Sequence, residues 1–281
     1  MTRRPFRLID VFGDGIFAGN PLAVVAAAEE LDTAIMQRIA HWLNLSETTF
    51  LLPPTDAQAD YGVRIFTVDR ELPFAGHPTL GSAHAWLEAG GTPKQDGIVV
   101  QECGAGLITV RRDGDRLAFA APPRTRTGPL TNAEMAEVLG VLRLTRDQVV
   151  DAAWVSNGPG WVAVLLESAE KVLAVDPVRV HDRVIDVGVV GRHLPEGGAD
   201  FEIRGFFSAG AGMLVEDPVT GSLNASIAQW LFESGRAKGS YIAAQGTALG
   251  RRGRVFLEQD ETGQVWVAGT ARTMMSGTGL F

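Results

Sequence analysis

Two residues that could move protons hold matching places in this 281-residue chain. His77 and Asp217 each stand immediately before a proline, 140 positions apart. Both lie in stretches that align without a gap: Arg64 to Ala85, RIFTVDRELPFAGHPTLGSAHA, and Arg204 to Ala225, RGFFSAGAGMLVEDPVTGSLNA. The stretches share Arg64/Arg204, Phe66/Phe206, Pro78/Pro218, Gly81/Gly221, Ser82/Ser222 and Ala85/Ala225. The same offset lays the apolar run Leu22 to Val25 over Val162 to Leu165, so one architecture is built twice. Two similar halves facing each other would present His77 from one side of a cleft and Asp217 from the other. A third candidate is Glu47, an acid among the small hydrogen-bonding residues Ser46, Thr48 and Thr49. Strand alternation alone would put it on a solvent face; its neighbours suit an acid held in a polar pocket.

Each shared proline marks the start of a helix, near Pro78 and near Pro218. A helix N-terminus carries unpaired N–H groups and the positive end of the macrodipole. The turns Gly76-His77-Pro78-Thr79 and Thr220-Gly221-Ser222 have the small residues that let an anion approach the backbone. Such a site suits a small carboxylate-bearing substrate, with the acids and the histidine moving protons on it. Histidine is a poor helix cap, so capping does not account for His77, whereas it could account for Asp217. Other chemistries lack their signatures: the chain has no G-x-S-x-G, H-E-x-x-H or Walker lysine, and its histidines lack metal-ligand spacing. Ser208-Ala209-Gly210-Ala211-Gly212 matches only part of a dinucleotide loop. His41 reads as a surface or helix-flank residue and His84 as a packed helix residue.

The elements that must position these residues follow from pattern. Strands are expected at Phe6 to Phe12, Leu22 to Ala27, Leu45 to Leu52 and Tyr61 to Val68. A helix capped by Asp32 runs to Asn44 with Ile35, Ile39, Trp42 and Leu43 on one face. The helix from Pro78 stops before Gly90-Gly91, and an antiparallel meander follows through Gly97–Gln101, Leu107–Arg111 and Arg116–Ala120. Ala121 to Thr131, APPRTRTGPLT, reads as a linker. A short helix (133–139) and strands at 153–156, 161–166, 184–190 and 201–207 restart the pattern. A helix at 218–234 and strands at 241–244, 253–258 and 265–268 complete it. The expected fold is therefore α+β, an α/β roll of two pseudo-repeated halves. Each is a curled, largely antiparallel sheet around one principal helix, and the active-site cleft lies between them. The halves span 1–120 and 132–281, joined by 121–131.

Composition narrows the partners. A net charge of −8 disfavours nucleic acid and anionic membranes. No stretch approaches the length of a membrane span, and the first dozen residues lack the apolar core of a secretory signal. The single cysteine, Cys103, excludes an internal disulfide and a cysteine-based zinc site; it has no basic neighbour and reads as inert. These features point to a cytoplasmic protein.

Several motifs carry a resemblance. Asp10-Val11-Phe12, Phe17-Ala18-Gly19-Asn20-Pro21 and Asn44-Leu45-Ser46-Glu47-Thr48-Thr49-Phe50 resemble the start of the PhzF-like (phenazine biosynthesis) isomerase family. Arg64-Ile65-Phe66-Thr67 with Glu71 to Gly81, Glu216-Asp217-Pro218-Val219-Thr220-Gly221-Ser222, and Gln245-Gly246 with Gly250-Arg251 are similar to its further motifs, in order along nearly the whole chain. The resemblance implies a diaminopimelate-epimerase-like fold, commonly homodimeric, and an isomerase needing neither metal nor organic cofactor. It implies that Glu47 takes a proton from one carbon and returns it to another, with His77 and Asp217 assisting. Ser222 and the Gly221 amide would hold the substrate carboxylate, with Asn20, Gly76, Thr79 and Thr220 completing the binding site. The related epimerases use two cysteines; here the matching loops hold none, which disfavours a two-thiol racemase. Leu223 departs from the family pattern and could narrow the pocket. The polar Ala271 to Met275 is a second departure. Two other readings remain: an epimerase or racemase using the same acid/base set, and a non-catalytic small-molecule-binding protein of the same fold.

Overall fold

The computed structural model describes residues 2–195, 198–209 and 212–281. The chain divides into two compact units, 1–120 with 268–281, and 121–267. Gly210 and Ala211 of the dinucleotide-like loop lie outside the described residues.

The first unit is built on strands β1 (Arg3–Val11), β2 (Asn20–Val25), β3 (Glu47–Leu52) and β4 (Tyr61–Phe66). Between β2 and β3 runs helix α1 (Thr33–Leu43), capped by the Asp32 carboxylate on the Ile35 N–H and ended by Asn44 in the left-handed conformation. The short β5 (Glu71–Leu72) leads into the principal helix α2 (Gly76–Glu88), and the meander β6 (Ile98–Cys103), β7 (Gly106–Asp113) and β8 (Arg116–Ala120) follows. β1–β2 and β3–β4 are antiparallel, while β2–β3 and β4–β6 are parallel. One face of α1 differs from the expected one. Its buried positions are Met36 and Ala40, with Ile35 and Ile39 partly buried against the core, and Trp42 is 82% exposed. At 100° per residue Trp42 falls about 100° from the centre of the stripe through Met36, Ile39, Ala40 and Leu43.

The second unit repeats this order. It runs β9 (Arg126–Pro129), helix α3 (Asn132–Leu142), β10 (Val149–Ser156), β11 (Trp161–Leu166), the short helix α4 (Ala169–Leu173), β12 (Asp186–Arg192) and β13 (Phe201–Ser208). Then come β14 (Leu214–Asp217), the principal helix α5 (Gly221–Glu233), β15 (Ser240–Gln245), β16 (Gly253–Gln259) and β17 (Val265–Gly269). β11–β12 is the parallel counterpart of β2–β3, with the same register. Leu22 lies opposite Glu47 and Val162 opposite Val187, each partner displaced by 140. The duplication therefore extends to strand pairing. It also shows an asymmetry: where the first unit places an acid, Glu47, the second places the fully buried Val187.

Two segment assignments change. Residues 121–131 are not a free linker. Arg126–Pro129 pairs antiparallel with β10, and Thr131 caps α3 in a reciprocal capping box with Glu134. Prolines are tolerated on such an edge strand, which is why the segment reads as a linker from composition. The final residues form β18 (Ala271–Leu280), antiparallel to β1, so 268–281 belong with the first unit, not with 132–267. Its mostly exposed residues give it no apolar alternation to read. β18 flanks β1 as β9 flanks β10, so each unit receives its outer strand from a different end of its sequence.

Two of the residue pairs shared by the repeat stretches, Arg64/Arg204 and Phe66/Phe206, have a shared role. Arg64 lies over the Phe66 ring at 5.1 Å and forms a two-pronged pair with Glu71, at 2.7 and 2.6 Å. Arg204 lies over Phe206 at 4.9 Å and pairs with Glu216 at 2.9 and 2.8 Å. In each unit this clamp ties the short strand, β5 or β14, to its longer neighbour, just ahead of the principal helix.

The principal helices differ in how they pack. Both are largely buried. In α2 the helix supplies the gap: a Cβ on Gly81 would stand 2.5 Å from Leu22 Cδ2. In α5 the sheet supplies it. Gly188 and Gly205 are cross-strand partners, and Leu223 fills the notch between them; Cβ atoms there would stand 2.4 and 2.9 Å from its methyls. Leu223 is fully buried, so its size is matched to the sheet rather than to a pocket.

Candidate active site

The catalytic candidates of the first unit sit where a strand start meets a helix start. Glu47 opens β3, the strand between β2 and β4. β3 does not alternate; its four central residues are all buried, so Glu47 is not on a solvent face, and its side chain is only 16% exposed. Its carboxylate Oε2 lies 3.4 Å from Nδ1 of His77.

His77 is the second residue of α2, not the residue before it. The helix begins at Gly76, so Pro78 is its third residue. The first turn has no intrahelical use for that N–H, so proline is tolerated there despite the preference of the preceding residue for extended backbone. The N-cap residue, Ala75, offers no side-chain cap. Thr79 holds this start instead. It is fully buried, its hydroxyl donates to Ala75 O at 2.9 Å, and it accepts from Gln101 Nε2 at 3.0 Å. Gln101 in turn accepts from Tyr61 Oη at 2.9 Å. The Thr79 side chain, expected to bind substrate, is thus occupied in securing the helix start.

His77 is 4% exposed, and its Nε2 is buried without a hydrogen-bond partner among the described residues. Burial pushes its pKa down to about 3. At neutral pH the contact with Glu47 is therefore a carboxyl beside a neutral imidazole, not an ion pair. Behind it, Ser82 Oγ donates to Thr49 Oγ1 at 2.9 Å, locking α2 to β3. Gly76 and Asn20 are buried at the starts of α2 and β2.

Asp10 is a residue that charge patterning alone did not single out. It is 3% exposed and accepts the N–H groups of Ala18 and Gly19, each at 2.8 Å, fixing the turn before Asn20. Gly19 is required there, since a Cβ would stand 2.0 Å from Val11 O. The invitation to see it lay in Asp10-Val11-Phe12 preceding a glycine-rich turn.

In the second unit Asp217 ends β14, and α5 begins four residues later at Gly221 with Thr220 as N-cap. His77 and Asp217 thus match in sequence but stand on different elements, one inside its helix and one on the preceding strand. Asp217 is 8% exposed, and its Oδ2 accepts from Thr220 Oγ1 at 2.7 Å. Gln245, fully buried, faces the same turn. Gly246 follows with φ 89°, and a Cβ there would stand 2.6 Å from Pro218 O, so the Gln-Gly pair is shaped to receive the Asp217-Pro218 backbone. Ser222 is half-buried. Its Oγ accepts from Trp161 Nε1 at 3.1 Å, and its carbonyl accepts from Asn157 Nδ2 at 2.8 Å.

The structure thus groups Asn20, Glu47, Gly76, His77 and Thr79 in the first unit and Asp217, Thr220, Gly221 and Ser222 in the second. His41 is exposed and His84 half-buried against Thr273, outside these groups. Burial raises the Cys103 thiol, in keeping with an inert cysteine. Among the described residues no cluster of three or more His, Cys, Asp or Glu has a metal-binding arrangement, and no helix is long and apolar enough to cross a membrane.

The chain is thus an α+β protein with few helices and mixed sheets, in which an acid at a strand start lies 3.4 Å from a buried histidine at a helix start. Comparison with known proteins identifies the group. Residues 9–277 match the family model described as phenazine biosynthesis-like protein, and the chain belongs to this PhzF family. It is 36% identical to antisense-enhancing sequence 1 of Schizosaccharomyces pombe, over 99% of both chains. It is 32% identical to the trans-2,3-dihydro-3-hydroxyanthranilate isomerase of Pseudomonas fluorescens, over 96% of this chain and 97% of that one. Its fold matches the crystal structure of a PhzF-family phenazine biosynthesis protein from Bacillus anthracis, with a TM-score of 0.82, 22% identity and complete coverage of both. The protein is an isomerase.

Proposed function

We propose that the protein is a cofactor-independent isomerase that shifts a proton on a small, unsaturated, carboxylate-bearing substrate, with Glu47 as the base. The observation that carries this reading is the Glu47 carboxylate 3.4 Å from a buried, neutral His77. A neutral imidazole adds no positive charge beside the Glu47 carboxyl, and it can hydrogen-bond whichever form of the acid is present. Glu47 takes the proton from one carbon, the double bond moves, and the Glu47 carboxyl, which exchanges its proton with solvent, returns a proton at another carbon. No electrons are gained or lost overall. His77 and Asp217 support the transfer, and Ser222 with the Gly221 N–H binds the substrate carboxylate. The relative in Pseudomonas fluorescens is named for trans-2,3-dihydro-3-hydroxyanthranilate, which has the required chemistry and is the first substrate to test.

The test is incubation with that compound in D2O, followed by proton NMR, for the wild type and Glu47→Gln. Isomerisation with deuterium uptake is expected in the wild type, reduced about 100-fold or more in the variant. Undiminished turnover by Glu47→Gln would remove Glu47 from the role of base.

A further inference from the structure

The hydrogen bonds around Asp217 can be assigned a direction from donor chemistry alone. The Thr220 backbone N–H can only donate, and it meets Gln245 Oε1 at 3.0 Å. Asn224 Nδ2 meets the same oxygen at 2.7 Å and also donates to Thr220 O at 2.9 Å, which fixes its own amide. The other end of the Gln245 amide must then be the donor. It faces the Asp217 carbonyl at 3.2 Å and Thr220 Oγ1 at 3.0 Å. Because Thr220 Oγ1 accepts from Gln245, its single proton goes to Asp217 Oδ2, 2.7 Å away.

The first unit contains the same device with a different end. Gln101 Nε2 donates to Thr79 Oγ1 at 3.0 Å, but there the hydroxyl proton goes to the backbone at Ala75 O. Both glutamines are fully buried on the strand that follows the principal helix, β6 or β15. One threonine secures only a helix start. The other is aimed at a carboxylate.

We propose that Thr220 is a positioning residue for Asp217 rather than a substrate ligand, and that Gln245 is the residue that sets the direction of its hydroxyl. The inference rests on the reading of Asp217 as a group that supports proton transfer. It assigns Gln245-Gly246 a task in the reaction: Gly246 admits the Pro218 carbonyl, and Gln245 fixes the turn that carries the carboxylate.

The test compares Thr220→Val, Thr220→Ser, Gln245→Glu and Asp217→Asn, using trans-2,3-dihydro-3-hydroxyanthranilate and recording melting temperatures to confirm folding. Gln245→Glu keeps the shape but replaces the amide donor with an acceptor, so the Thr220 proton turns away from Asp217. Thr220→Val and Gln245→Glu should each lower kcat by about 10- to 100-fold with KM nearly unchanged, and Thr220→Ser should restore it. A raised KM at constant kcat in Thr220→Val would make Thr220 a substrate ligand and overturn the inference. Inactive Asp217→Asn beside fully active Thr220→Val would overturn the inference alone; fully active Asp217→Asn would remove the underlying reading as well. Neutron diffraction from a deuterated crystal needs no substrate. It should place the Thr220 hydroxyl deuteron toward Asp217 Oδ2 in the wild type and toward the substituted carboxylate in Gln245→Glu. A wild-type deuteron pointing elsewhere would refute the assignment.

Discussion

Replacing His77 by Gln should make the protein's stability less sensitive to acid. An ordinary imidazole titrates near 6.5, and burial holds that of His77 down to about 3. Below pH 6.5 the unfolded chain binds a proton at this residue that the folded chain excludes. The stabilisation is therefore fully present above pH ~6.5, is lost steadily as pH falls, and is gone once the folded value near 3 is passed. Each pH unit within that window is worth about 1.4 kcal/mol, so moving from pH 7.5 to pH 5 costs the wild type about 2 kcal/mol through His77 alone. Glutamine does not titrate. The other titrating groups are common to both proteins and cancel in the comparison. Urea unfolding at the two pH values measures the difference; with a slope of about 3 kcal/mol per molar, the wild-type midpoint should fall about 0.7 M further than that of His77→Gln. Equal falls would refute the reasoning. They would mean that His77 charges inside the fold, paired with Glu47, and that the site works with an imidazolium.

The remaining predictions concern packing and substrate binding. Leu223→Ala should destabilise by about 2–5 kcal/mol, since it empties the notch over Gly188 and Gly205. Gly188→Ala should cost about 1–3 kcal/mol by overpacking against Leu223, and the double variant should be less destabilised than the sum, as chemical denaturation would show. Trp161→Phe removes the indole N–H that occupies an acceptor position of Ser222 Oγ. If Ser222 is thereby held as a donor to the substrate carboxylate, steady-state kinetics should show KM raised several-fold with little change in melting temperature.

Much of the fold was legible because its signals are local. The Asp32 cap, the Gly90 stop, the turns of the meander and the 140-residue repeat are all written in neighbouring residues, and each half needs the same apolar pattern to bury its principal helix. Glu47, His77 and Asp217 stand out in the sequence as candidates because each can carry a proton, but the sequence left a solvent-face role open for Glu47 and a capping role open for Asp217. What the sequence could not show depends on distant partners. The pairing of β18 with β1 joins residues 260 or more positions apart, and a mostly exposed strand has no alternation to announce it. The start of α2 two residues before Pro78, against the start of α5 three residues after Pro218, was decided by tertiary hydrogen bonds, from Gln101 in one unit and Gln245 in the other. The fit of Leu223 against the sheet is not written in the sequence, because glycines 188 and 205 lie opposite each other only once β12 and β13 have paired. Residue identity determined which groups can move a proton. Burial, which exists only in the folded chain, decided the charge on His77, and buried amides decided where the Thr220 proton points.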